Sequence, residues 1–175
     1  HNSDRRQRQM CIRDSGWRLH RLAFLDGRGG DRMVRPLLAA LDRDGGRALP
    51  MTESLLSRIS GKDNPQMVLG AFEQRWQDPD RITPDAGRCW IALDRVRDPG
   101  NLGTIMRTAD ATGARGIILI GDCTDPYSVE AVRASMGAVF NVELAQMPED
   151  DFLDLATGWP GPVSYTHLRA HETYT

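Results

Sequence analysis

Residues 91–121, IALDRVRDPGNLGTIMRTADATGARGIILIG, decide the fold. Ile91, Ala92 and Leu93 form an apolar run after Cys89 and Trp90, and Asp98-Pro99-Gly100-Asn101 supplies residues that favour a turn and a helix N-cap. The spacing predicts a helix from about Asn101, with Leu102, Ile105, Met106 and Ala109 on the i, i+3, i+4, i+7 stripe of a face packed on a core. Gly113 is its natural stop. Ile117-Ile118-Leu119-Ile120 then reads as a strand apolar on both faces, as in the interior of a parallel sheet. The unit is a βαβ crossover.

Chemistry belongs on the side of that helix which the apolar stripe does not use. Arg107 follows Gly103 and Thr104 by one turn and lies there. Gly103 lets a ligand or a backbone approach closely, and N–H groups of the first turn favour a nearby anion. Spacing alone leaves a second reading equally open: Asn101 as a simple cap and Arg107 as a solvated partner of Asp110.

The run DPGNLGTIMRTADATGARGIILI resembles the first motif of the SpoU/TrmH family of RNA ribose 2'-O-methyltransferases, of the SPOUT class, and DPYSVEAVRASMGAVFNVEL is similar to the segment that follows it. Together they span Leu93 to Leu144 without a gap. Asn101, Gly103, Arg107, Ala109, Gly113, Arg133, Ser135 and Gly137 fall where the family pattern has them. The resemblance implies an α/β fold, a parallel sheet with flanking helices that forms part of the SPOUT or alpha-beta knot domain. It also implies Arg107 at the 2'-hydroxyl, Asn101 shaping the ribose side of the pocket, and Gly103, Thr104, Arg133 and Ser135 as RNA contacts. Arg133 and Ser135 could equally meet a partner subunit, and Arg133 could be a solvated helix residue.

A chain of 175 residues, 40% hydrophobic, can bury one good core, or one domain and part of another. A net charge of −2 gives no global basic footprint, so RNA contact would need a local patch. Lys62 is the only lysine among the basic residues; the Arg bias suits phosphate recognition but also follows from base composition. Cys11, Cys89 and Cys123 are odd in number and widely spaced, so neither a disulfide framework nor a zinc site is indicated. No apolar run approaches the roughly 18 residues of a membrane span, and no signal-peptide pattern is present. The expectation is a cytoplasmic protein with no metal and no membrane partner.

Both ends read as foreign. Residues 1–15 and 164–175 resemble translated adapter sequence and are expected to be a non-native leader and tail. His167 and His171 have the i, i+4 spacing of a metal pair, but they fall in that tail without a third ligand.

Residues 16–76 read as part of a small α/β unit. Leu22 to Leu25 is a candidate strand, and Val34, Leu37, Leu38 and Leu41 space out a helix with Pro36 in its first turn. Thr52 can cap a second helix bearing Leu55, Leu56 and Ile59, which ends near Gly61 before the turn Asp63-Asn64-Pro65. Met67 to Phe72 reads as a strand. This order resembles the end of the small RNA substrate-binding domain that precedes the catalytic domain in the family, so its sheet is expected to be incomplete. Residues 77–88, polar and containing Pro79, Pro84 and Gly87, read as a linker.

Residues 89–163 are expected to form the first half of the methyltransferase domain. Asp122 to Pro126 is a loop at the carboxyl end of a strand, where open parallel sheets place ligands. Val129, Val132 and Met136 predict the buried stripe of a helix ended by Gly137, Val139 to Leu144 a third strand, Phe152, Leu153 and Leu155 a further helix, and Pro162-Val163 the start of a strand.

In the family, S-adenosylmethionine is bound by a C-terminal trefoil knot whose later motifs include Gly-x-Glu and Ser-Leu-Asn segments. Neither occurs in this sequence, so the cofactor site is expected beyond the chain end and the chain alone is expected to be inactive. Family members are homodimers through that knot, which leaves dimerisation of this chain without its main support. Two other functions stay in view: an RNA-binding protein without catalysis, and a Rossmann-type nucleotide module. The latter is disfavoured by the turn G-N-L-G, which lacks the G-x-G-x-x-G pattern.

Overall fold

A computed structural model describes residues 16–61, 67–83 and 88–164. The leader, most of the tail with His167 and His171, Lys62, the turn at Asp63 and part of the 77–88 stretch lie outside them. Two three-stranded sheets carry the chain.

The first sheet has β1 (Leu19–Leu25) at its centre, parallel to β2 (Arg47–Met51) and antiparallel to β3 (Val68–Phe72). Helix α1 (Arg35–Arg43) packs Leu37 and Leu41 onto Leu19, Leu22 and Phe24, and Pro36 sits in its first turn where no N–H is missed. Helix α2 (Glu53–Ser60) follows Thr52, whose side chain makes no capping bond, and stops at Gly61 in the left-handed conformation. Only Leu56 of the expected stripe is buried; Leu55 and Ile59 are exposed. Strand β2 has no counterpart in the sequence reading, since Pro50 argues against a strand and is tolerated here at a sheet edge.

The second sheet has the order β4 (Trp90–Asp94), β5 (Gly116–Ile120), β6 (Glu143–Met147), all parallel. Central β5 is buried at every position, as its apolar run requires. Ile117 and Leu119 face α3 (Pro99–Thr112) and α4 (Val129–Ala134). Ile118 and Ile120 face the opposite layer, formed by Ile82, Met147 and the Phe152 and Leu155 side chains of α5 (Glu149–Thr157). The second sheet is therefore covered by helices on both faces.

Four expectations for this half are corrected. Helix α3 begins at Pro99, with the Asp98 carboxylate accepting from the Asn101 N–H at 2.6 Å, so Asp98 is the cap and Asn101 lies inside the first turn. Helix α4 is one short stretch that buries Ala131, while Val129 and Met136 face solvent. Residues Ala138–Phe140 form a 3-10 turn after Gly137 at φ 101°, so the third strand starts only at Glu143. No strand forms at Pro162 and Val163.

The stretch after β3 crosses from one sheet to the other in close contact with both. The Gln77 N–H donates to the Leu144 carbonyl at 2.7 Å, Pro79–Arg81 forms a 3-10 turn, and Ile82 is buried beneath β5. Trp17, Phe72, Phe140, Tyr127 and Trp76 form a chain of edge-to-face aromatic contacts across the junction.

Candidate functional site

Helix α3 leaves the carboxyl end of β4, so its first turn stands on the edge where parallel sheets bind ligands. Leu102, Met106 and Ala109 are fully buried and fix its rotation. Asn101, Thr104, Arg107 and Thr108 are consequently exposed. The Thr104 hydroxyl donates to the Gly100 carbonyl at 2.9 Å, and Thr108 and Thr112 repeat that bond one and two turns on. These donors are turned onto the helix, leaving Arg107 as its one cationic side chain.

Among the described residues no carboxylate pairs with Arg107. Asp110, its expected partner, instead accepts two hydrogen bonds from the Asn141 amide, at 3.2 and 3.1 Å. The first-turn N–H groups do not await an anion, because Asp98 already supplies the negative charge there.

Gly103 and Ser135 are withdrawn from the surface. Gly103 is buried under α4, where an added β-carbon would meet the Ala131 carbonyl oxygen at 2.8 Å; the close approach is made by backbone, not by a ligand. Ser135 has no exposed surface, and its hydroxyl donates to the Val132 carbonyl at 2.8 Å. Arg133 reaches across to the first sheet's unit and donates to the Ser60 carbonyl at 3.0 Å. The geometry therefore brings Asn101, Thr104 and Arg107 together on one exposed face and gives Gly103, Arg133 and Ser135 packing and bridging contacts.

The carboxyl edge holds further residues that the sequence reading passed over. Arg95, at φ 51°, places its guanidinium between Asp94, at 2.8 Å, and Glu149. Its hydrogen bond to Glu149 and the charge of Asp94 push its pKa above the ordinary value. Arg97 pairs with Asp122 at 3.0 Å, and the Thr124 N–H donates to the Val96 carbonyl at 2.8 Å, lacing the two loops together. The Tyr127 hydroxyl donates to the Arg75 carbonyl. The sequence places Asp122 and Thr124 only within a loop at the ligand edge, and Asp98 only within the turn before the helix.

Two open grooves of about 350 and 250 Å³ lie beside Trp76 and Gln146. They carry Asp78 and Asp125, and among the described residues neither groove offers a cation to a bulky charged cofactor.

Fold and site define an α/β protein with a helix-covered parallel sheet and, on the helix at its carboxyl edge, an exposed arginine that no carboxylate among the described residues pairs with. Residues 88–159 match the SpoU rRNA Methylase family. An uncharacterized tRNA/rRNA methyltransferase of Synechocystis is 42% identical over 86 residues, 48% of this chain and 30% of that protein. The 23S rRNA (uridine(2479)-2'-O)-methyltransferase of Streptomyces viridochromogenes is 31% identical over 136 residues, 77% of this chain and 46% of that protein. The crystal structure of an AdoMet-bound rRNA methyltransferase from Sinorhizobium meliloti superposes with a TM-score of 0.79 at 44% identity, covering 87% of this chain and 56% of that one. The chain thus spans less than half the length of these two curated relatives.

Proposed function

We propose that the chain carries the RNA-facing, Arg107-bearing part of a ribose 2'-O-methyltransferase acting on ribosomal or transfer RNA. The observation that carries this reading is Arg107, exposed and without a carboxylate partner among the described residues, on the outer face of α3 within the matched segment. The methyl donor of the whole enzyme would be S-adenosylmethionine, the ligand named for the Sinorhizobium relative. The grooves beside Trp76 offer it no cation among the described residues, which supports reading this chain's own contribution as the RNA side.

A ribose hydroxyl becomes nucleophilic only as it loses its proton and negative charge gathers on oxygen. A guanidinium with a pKa above about 12 is a poor base but a fixed source of positive charge and donors. Arg107 would hold a phosphate and stabilise the developing alkoxide, with Asn101 bounding the ribose side of the same face. A second reading, RNA binding without catalysis, is favoured for this chain alone by the absence of a cofactor fit among the described residues.

Methyl incorporation into ribosomal and transfer RNA, measured beside RNA retention for the chain and its Arg107→Ala form, tests both. Incorporation that falls with the variant supports an active enzyme. Retention without incorporation, weakened by Arg107→Ala and by salt, supports the binding reading. Equal retention by both forms without incorporation would remove Arg107 from the site.

A further inference from the structure

We propose that the groove between Trp76 and the loop after β5 receives an unpaired nucleobase of single-stranded RNA, an inference that rests on the RNA reading above. The groove, of about 250 Å³, is lined by Gln74, Trp76, Thr124, Asp125 and Gln146. A second, of about 350 Å³, adjoins it and shares Trp76 and Gln146.

Trp76 is anchored yet open. Its ring meets that of Tyr127 edge to face, with centroids 5.2 Å apart at 89°, and the next residue's N–H is bonded to β6. With its position so fixed, the residue still leaves 42% of its surface exposed. A rigid, exposed indole is a stacking platform for any base, and little rotamer freedom is lost on binding.

The remaining lining groups select what stacks there. Two glutamine amides each offer a donor and an acceptor, Thr124 a hydroxyl, and Asp125 a carboxylate, which are the groups that read base edges. Among the described residues neither groove is lined by Lys or Arg and each is lined by one carboxylate, so a phosphate is disfavoured. The site therefore suits a base splayed out of a strand whose backbone runs elsewhere. Thr124 is hydrogen-bonded to Val96 in the turn that begins α3, so the groove lies on the same carboxyl edge as Asn101.

The indole N–H resonances of the intact chain, with that of Trp76 assigned from Trp76→Phe, report occupancy directly. A single-stranded oligoribonucleotide should move the Trp76 resonance, and a blunt duplex of the same sequence should not. Trp76→Ala should weaken single-strand binding about tenfold, Trp76→Phe should restore most of it, and Gln146→Ala, which leaves the aromatic contacts intact, should weaken it about threefold. Single-strand binding with an unmoved Trp76 resonance and undiminished affinity in Trp76→Ala would overturn the nucleobase site while leaving the RNA reading standing. Failure of the unmodified chain to bind any RNA would overturn both.

Discussion

A β-carbon built on Gly103 would stand 2.4 Å from that of Ala134, so helices α3 and α4 meet through their backbones. This contact sets how closely α4 packs on α3, and Arg107 lies one turn beyond Gly103 on α3.

Gly103→Ala should therefore destabilise the protein despite alanine's better helix propensity. The intruding methyl meets backbone atoms that cannot rotate away, a cost of about 1–3 kcal/mol against a propensity gain of about 1 kcal/mol. Denaturant unfolding should show a lower midpoint for this variant and none for Thr104→Ala, whose side chain is exposed. An unchanged Gly103→Ala midpoint would mean that the helices can separate at little cost.

Ser135→Ala offers the complementary test. The hydroxyl donates to the Val132 carbonyl and accepts from the Gly137 N–H at 3.4 Å, in a position without solvent contact. Its removal should cost about 1 kcal/mol of stability and leave RNA retention unchanged. A selective loss of RNA retention at full stability would instead restore Ser135 to the substrate site.

The central crossover was legible because every local signal agrees: Pro99 opens the helix, Gly113 closes it at φ 70°, and four consecutive large aliphatics fill β5. The stretch from Val129 to Leu144 was misread because small residues, Ala131 and Ala134, occupy the tight helix contact while the large Val129 and Met136 point outward. Hydrophobic spacing finds large buried side chains and misses a seam built from small ones. At the site, exposure of Arg107 followed directly from the stripe opposite it. The fate of Gly103 did not, since a missing side chain looks the same whether the space is filled by ligand or by a neighbouring helix.

Arg107 should contribute one phosphate-type contact. RNA retention measured across a range of salt concentrations should give a log–log slope that is shallower by about 1 for Arg107→Ala, with Arg107→Lys close to the original. Parallel lines for all three proteins would show that the guanidinium never meets the backbone.

Calorimetric titration of S-adenosylmethionine into this chain should give no binding heat, because the grooves beside Trp76 lack a cation for its carboxylate. Binding with ordinary affinity would show that residues outside those described complete a cofactor site.

Tyr127 links stability to alkaline pH. Burial, reinforced by the charge of Asp125, pushes its phenol up to about 12 from an ordinary 10.0. Between those values the folded protein keeps a proton that the unfolded chain releases, so this contribution is fully present below about pH 10 and is lost as pH rises through about 12. Tyr127→Phe cannot titrate and also lacks the bond to the Arg75 carbonyl. It should therefore be less stable than the original protein by about 1 kcal/mol at pH 8, and the gap should close and then reverse as pH rises toward the upper value. Urea midpoints at pH 8 and pH 11.5 measure both gaps. An equal gap at the two pH values would show that the phenol is open to solvent and that the aromatic junction between the sheets is looser than its edge-to-face contacts indicate.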